Sequence, residues 1–160
     1  MKRNYFLIIL LFFIGAALFV SGCTVTGGGT LDSANQDADG AKANFGFVLN
    51  YCNPDEPKGV FNYHDMAYMG TYNDIDYTGV KMQGKLITLD EMDIGEAVAT
   101  LSYRSTNPQV RGEGEAVIIV EDGIFEDHFS IEVNGGPFDG YTNDGFIQGS
   151  IEQNECDYED

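Results

Sequence analysis

Apolar side chains recur at every second position through short runs between residues 44 and 151, and this period restricts the fold more than any other feature. Phe45, Phe47, Leu49 and Tyr51 fall on one face of an extended segment, with Gly46, Val48 and Asn50 opposite. Successive strand side chains point to opposite faces, so such spacing builds a half-buried strand. Phe61 and Tyr63 alternate in the same way with Val60, Asn62 and His64. So do Ala97, Ala99, Leu101 and Tyr103 with their neighbours, and Phe129, Ile131 and Val133 with theirs. Residues 67–81 read as one long bent strand or as two short ones broken at Asn73-Asp74. Leu86 to Leu89 reads as a short strand with Asp90, Glu91 and Asp93 as its acidic exit. Five consecutive apolar residues, Ala116 to Val120, predict a strand buried on both faces. Phe146 to Ile151 reads as the last strand.

Between these runs stand turn formers: Asn53 to Pro57, Asn107-Pro108, Asn134 to Pro137 and Asn143 to Gly145. Strands at short intervals without intervening helical periods exclude a βαβ rhythm. The expected class is all-β, an antiparallel β-sandwich or flattened β-barrel of about eight or nine strands, largely a meander.

The N-terminus follows a different logic. Met1-Lys2-Arg3 precedes an apolar run from Tyr5 to Val20, and Ser21-Gly22-Cys23 closes it. A basic start, an apolar segment and small residues at its end make an export signal, and the run is shorter than the ~20 residues of a spanning helix. The last four residues resemble the lipobox of prokaryotic lipoproteins. That resemblance implies cleavage after residue 22 and a diacylglycerol thioether on Cys23. The expected organisation is a signal peptide over 1–22, a lipid-anchored start at 23–24, an all-β domain over 25–152 and an acidic tail over 153–160. By itself the Gly- and Asp-rich stretch from Thr24 to Ala43 reads as a flexible tether.

Removing the signal removes Lys2 and Arg3 and no acid, leaving 6 basic against 26 acidic side chains. Long-range repulsion at that charge argues against nucleic acid and anionic lipid surfaces as partners. The membrane is expected to be met through the N-terminal lipid, on the extracytoplasmic side of a prokaryotic envelope.

The order of the motifs also carries information. Val25-Thr26-Gly27-Gly28-Gly29 is followed by Phe45-Gly46-Phe47-Val48 and Pro57-Lys58-Gly59. Asp122-Gly123, Asp127-His128-Phe129-Ser130-Ile131, Asn143-Asp144-Gly145-Phe146 and Gly149-Ser150-Ile151 complete the series. This order resembles a poorly characterised all-β module of secreted and surface proteins of bacteria and archaea, often found beside adhesive or repeat domains. The resemblance implies export, a β fold and a triple-glycine segment inside the folded domain. It lends no catalytic residue. Thr30 stands where the module usually has an aromatic.

No Gly-x-Ser-x-Gly, phosphate-loop or His-Glu-x-x-His pattern is present. His64 and His128, with nearby carboxylates, offer too few ligands for a usual zinc site. The loop carrying Asp122, Glu126 and Asp127 is the better metal candidate, because calcium takes six to eight oxygens and a tight acidic turn supplies several. It lacks the alternating spacing of an EF-hand, and with so incomplete a ligand set a solvated acidic connection is the favoured reading. Once Cys23 is lipidated, Cys52 and Cys156 form an even pair in a compartment where a disulfide persists. The reading is a non-enzymatic adhesion, recognition or envelope-associated binding module with no obligatory cofactor. Its rivals are an exported metal-dependent hydrolase and a barrel carrying a small apolar ligand.

Overall fold

A computed structural model of the chain describes residues 23–53, 55–93 and 95–155. Nine strands carry most of them: β1 (Cys23–Asp32), β2 (Lys42–Asn50), β3 (Lys58–Tyr72), β4 (Ile75–Asp93), β5 (Glu96–Ser105), β6 (Glu113–Glu121), β7 (His128–Asn134), β8 (Thr142–Phe146) and β9 (Gln148–Glu155). They form one sheet in the order β8-β7-β6-β5-β4-β3-β2-β1-β9, with every neighbouring pair antiparallel.

The two ends of that order are joined by the chain itself. Only Ile147 separates β8 from β9, so one bent strand serves both edges: its first half bonds to β7 and its second to β1. Ile147 N–H donates to the Asp127 carbonyl at 3.0 Å, and Asn143 Nδ2 donates to the Asp32 carbonyl at 2.9 Å. The sheet therefore curls into a nearly closed, flattened barrel, a form that pairs or covers edges which an open sheet would expose.

Alternation supplies the core. Phe45, Phe47, Phe61, Tyr63, Met82, Leu101, Ile118, Phe129 and Ile131 all point inward and are buried. Tyr63 and Phe129 stand on opposite walls, yet their ring centroids are 6.1 Å apart, and Phe45 stacks on Phe129 at 4.1 Å. Rings from facing walls in contact leave no room between them for an apolar ligand.

Several expectations change in the structure. The triple glycine is not a tether but the middle of β1. A Cβ on Gly27 would stand 2.7 Å from the Phe47 ring, and one on Gly29 would stand 2.7 Å from the Gln148 carbonyl, so β1 fits between β2 and β9 because side chains are missing there. β4 is one 19-residue strand that takes in both Leu86–Leu89 and the acidic run 90–93. The break expected at Asn73-Asp74 is present, as a two-residue hairpin turn with φ of 51° and 62°, as a type I′ turn requires. β6 is not buried on both faces: Ala116, Ile118 and Val120 are buried, whereas Val117 and Ile119 stand half-buried on the outside. A single curled sheet has no second layer to cover them. The domain also runs past 152, since β9 continues to Glu155.

Up-and-down order sorts the connections into two rims. The β2–β3, β4–β5 and β6–β7 connections share one rim with the start of β1 and the end of β9, here the terminal rim. The β1–β2, β3–β4, β5–β6 and β7–β8 connections form the distal rim.

A polar network closes the barrel toward the distal rim. Asp65 is fully buried on β3. Its Oδ1 accepts from Ser33 Oγ at 2.6 Å and Ala67 N–H at 3.2 Å; its Oδ2 accepts from Ala34 N–H at 3.0 Å and Tyr141 O–H at 2.9 Å. An ionised carboxylate only accepts, so Tyr141 donates to it and must itself accept from Tyr63 O–H, 2.7 Å away. Tyr63 in turn accepts from Asn143 Nδ2 at 2.8 Å. The chain of donors thus has one direction, Asn143 to Tyr63 to Tyr141 to Asp65. Burial holds both tyrosine pKa values well above the ordinary range.

Candidate binding surface

A mixed-charge concavity lies on the outer wall, across β3 to β6. Two rows of outward side chains follow from the register. Val60, Lys85, Ser102 and Glu115 face one another across the four strands, and Asn62, Gln83, Arg104 and Glu113 form the parallel row. Between them runs an inward row, Phe61, Gly84, Tyr103 and Gly114. Large and absent side chains alternate along that row. A Cβ on Gly84 would lie 3.4 Å from Phe61, and one on Gly114 would lie 2.7 Å from the Tyr103 ring. The sheet can therefore sink toward the core at these glycines, and its outer face becomes a saddle of about 950 Å³ lined by these two rows. At ~4.8 Å between strands it spans roughly 14 Å across four strands.

Tyr103 fixes one side of the saddle from within. Its hydroxyl donates to the Gly135 carbonyl at 2.7 Å and accepts from Phe138 N–H at 3.3 Å. Burial raises its pKa to about 12, so the neutral donor persists through the physiological range. The Gly136–Phe138 turn is thereby clamped under β5 and β6.

The saddle is electrically unlike the rest of the chain. Lys85 and Arg104 balance Glu113 and Glu115, in a protein of net charge −18. Arg104 Nη2 donates to Gln83 Oε1 at 3.1 Å. Among the described residues neither cation has a carboxylate within 4.0 Å; the Lys and Arg ion pairs there are Lys42–Asp32 and Lys58–Glu56. The site thus presents donors and acceptors of both signs that are not already joined in salt bridges. Such a surface suits hydroxyl-rich or zwitterionic ligands.

The other candidates are placed as follows. His64 projects outward from β3 and His128 from β7, four strands apart in the sheet, so the structure does not bring them together. His128 has Asp144 Oδ2 3.4 Å from Nε2 and Glu121 Oε1 3.9 Å from Nδ1, and its ring meets Phe146 edge-on at 5.5 Å. Asp122, Glu126 and Asp127 do not assemble into a metal-holding group: among the described residues no three His, Cys, Asp or Glu side chains do. Asp127 has another task. Its Oδ1 accepts from Gly123 N–H at 3.1 Å and its Oδ2 from Ile151 N–H at 2.7 Å, tying the β6–β7 loop to β9 beside the closure seam. Cys52 follows β2 at the terminal rim, with its Sγ 3.6 Å from Thr24 Oγ1. β2 and β9 both run antiparallel to β1, so they are parallel to each other and end at that same rim. Cys156 lies outside the described residues, as do the signal segment 1–22 and positions 156–160 of the acidic tail.

Sequence reasoning passed over the saddle and the Asp65 network. The available signal for the first was a glycine inside each of two strands, Gly84 and Gly114, in register with inward aromatics. For the second it was Asp65 itself, an acid at an inward position of an alternating strand, overshadowed by its neighbour His64.

Fold and surface together define a small antiparallel meander barrel with a filled apolar interior, polar outer rows and a charge-balanced saddle. The apolar-in, polar-out alternation is the reverse of the pattern of a membrane-spanning barrel. No helix among the described residues is long and apolar enough to cross a membrane. A comparison with known protein families, curated proteins and solved structures finds no match to the chain.

Proposed function

We propose that this chain is an exported prokaryotic lipoprotein, held on the extracytoplasmic face by diacylglycerol on Cys23. In this reading it acts without catalysis, as a recognition module of the cell envelope or surface. The observation that carries the binding reading is the saddle: a concave, charge-balanced row of Asn62, Gln83, Lys85, Arg104, Glu113 and Glu115 on an otherwise strongly acidic barrel. Local neutrality spares a ligand seated in the saddle the short-range repulsion it would meet elsewhere on the barrel, while the net charge of the chain still disfavours polyanions and selects neutral or zwitterionic ligands. Open donors and acceptors select a polar ligand, and we assign an envelope or extracellular glycan. The resemblance of the motif order to that of the surface-protein module points to the same setting.

Cys52 and Cys156 are proposed to bridge β2 to β9 across the start of β1. Their strands end at one rim, the arrangement in which such a bridge needs no fold-back of the chain.

The test is retention of the mature chain on a panel of immobilised envelope polysaccharides. Retention on at least one, lost with Arg104→Ala and with Gln83→Ala but kept with Lys42→Ala outside the saddle, supports the reading. Retention untouched by both saddle substitutions, or none on any polysaccharide, refutes it.

A further inference from the structure

The tip of the β6–β7 loop bears two large apolar side chains, Ile124 and Phe125, that are 95% and 96% exposed. They are the most exposed large apolar residues described, and they are adjacent. The loop is built to project them. A Cβ on Gly123 would collide with the Glu126 carbonyl, so the neck is too narrow for any residue but glycine to close it without a shift. Asp122 N–H donates to the Gly95 carbonyl at 2.7 Å, and Asp127 turns its carboxylate back onto Gly123 and Ile151. Both stems are pinned to the barrel, and only the tip faces outward.

Its position supplies the occupant. The β6–β7 connection shares the terminal rim with the start of β1, and β1 begins at Cys23. The sequence directly before that residue is the apolar run Tyr5 to Val20. Whether the apolar run or a diacylglycerol on Cys23 does the anchoring, the membrane stands at this rim, within one strand's reach of the barrel.

We infer that Ile124 and Phe125 enter the interfacial region of the same membrane, as a second contact that orients the barrel with its terminal rim down. Apolar residues at the headgroup boundary gain by leaving water, and one attachment point alone leaves a domain free to swing. With the rim held down, the saddle on the side wall stays clear of the lipid. Glu121, Asp122 and Glu126 beside the tip repel anionic headgroups, so a zwitterionic surface is the expected partner.

This inference rests on the anchoring proposed above, and the chain offers a clean way to separate the two. It contains no tryptophan, so a single introduced one is the sole reporter. Processed full-length protein carrying Phe125→Trp is reconstituted into phosphatidylcholine vesicles. Ile75→Trp, half-exposed in the β3–β4 hairpin at the distal rim, is the control. Flotation reads anchoring; emission wavelength and quenching by acyl-brominated phosphatidylcholine read insertion. The expected result is flotation of both variants, with blue-shifted, quenched emission only from Trp at position 125, weakened as phosphatidylglycerol is added. Flotation with solvent-like, unquenched emission at 125 overturns the inference and leaves anchoring intact. Failure to float removes both. A blue shift without lipid, insensitive to bromine, assigns the tip to protein contact and also overturns it.

Discussion

The donor chain that ends on Asp65 gives the sharpest test of the barrel's energetics. Tyr141→Phe removes one of four donors to a fully buried carboxylate and leaves the Tyr63 hydroxyl hydrogen without an acceptor. A hydrogen bond to a charged group is worth about 1.5–3 kcal/mol and a stranded buried donor about 1–3, so the expected loss is roughly 2.5–6 kcal/mol. Tyr63→Phe leaves one Asn143 N–H without an acceptor and takes the donor from Tyr141, for about 1–3 kcal/mol. Both substitutions break the same Tyr63–Tyr141 bond. The double variant should therefore cost less than the sum, with a coupling of about 1 kcal/mol or more. Urea unfolding monitored by far-UV circular dichroism reads this as shifts in midpoint at constant slope. Additivity within about 0.5 kcal/mol would refute a connected, directional network and leave the two rings as independent filler.

Four further outcomes are expected. Stability should fall as pH rises above about 10: Tyr63 and Tyr141 ionise in the unfolded chain near that value but are held neutral by burial in the folded one. Each adds up to about 1.4 kcal/mol per pH unit, and a flat profile between pH 10 and 11 would contradict the burial. Asp127→Asn should lower stability by about 1–3 kcal/mol, because its amide nitrogen then faces a backbone N–H, whether Gly123's or Ile151's. Calcium at matched ionic strength should do no more than sodium for the wild-type melting temperature; a calcium-specific rise that Asp127→Asn abolishes would restore the loop as a metal site. Thiol counting on the unfolded, unreduced mature domain should find neither Cys52 nor Cys156 reactive, and two reactive thiols would end the proposed bridge.

The fold was legible where the alternation was clean. Phe45, Phe47, Leu49, Phe61, Tyr63, Ala97, Ala99, Leu101, Phe129 and Ile131 all point inward as their spacing requires. The barrel rather than the sandwich was not legible, because closure depends on one bent strand serving two edges. Nothing local in Phe146-Ile147-Gln148 announces that the partner changes from β7 to β1. The triple glycine misled in isolation for a related reason. Its missing side chains are matched to Phe47 and Gln148, residues far along the chain, so its strand character is tertiary in origin. The acidic exit after Leu89 joined β4 since a long strand in a curled sheet can leave the core and keep its ladder with β5. The saddle's polar residues were each visible as outward positions, but their convergence depends on the register of four strands, which a strand pattern does not set. Asp65 shows the same limit, since its donors Ser33, Ala34 and Tyr141 arrive from distant connections.

The measurement closest to the central proposal is the intact mass of the protein extracted from the producing cell's membranes. Processing as a lipoprotein gives residues 23–160 plus a diacylglyceryl group on Cys23, released as a lipid-bearing N-terminal peptide after digestion. A chain that retains Met1 to Gly22, or a mature N-terminus with Cys23 unmodified, would contradict it.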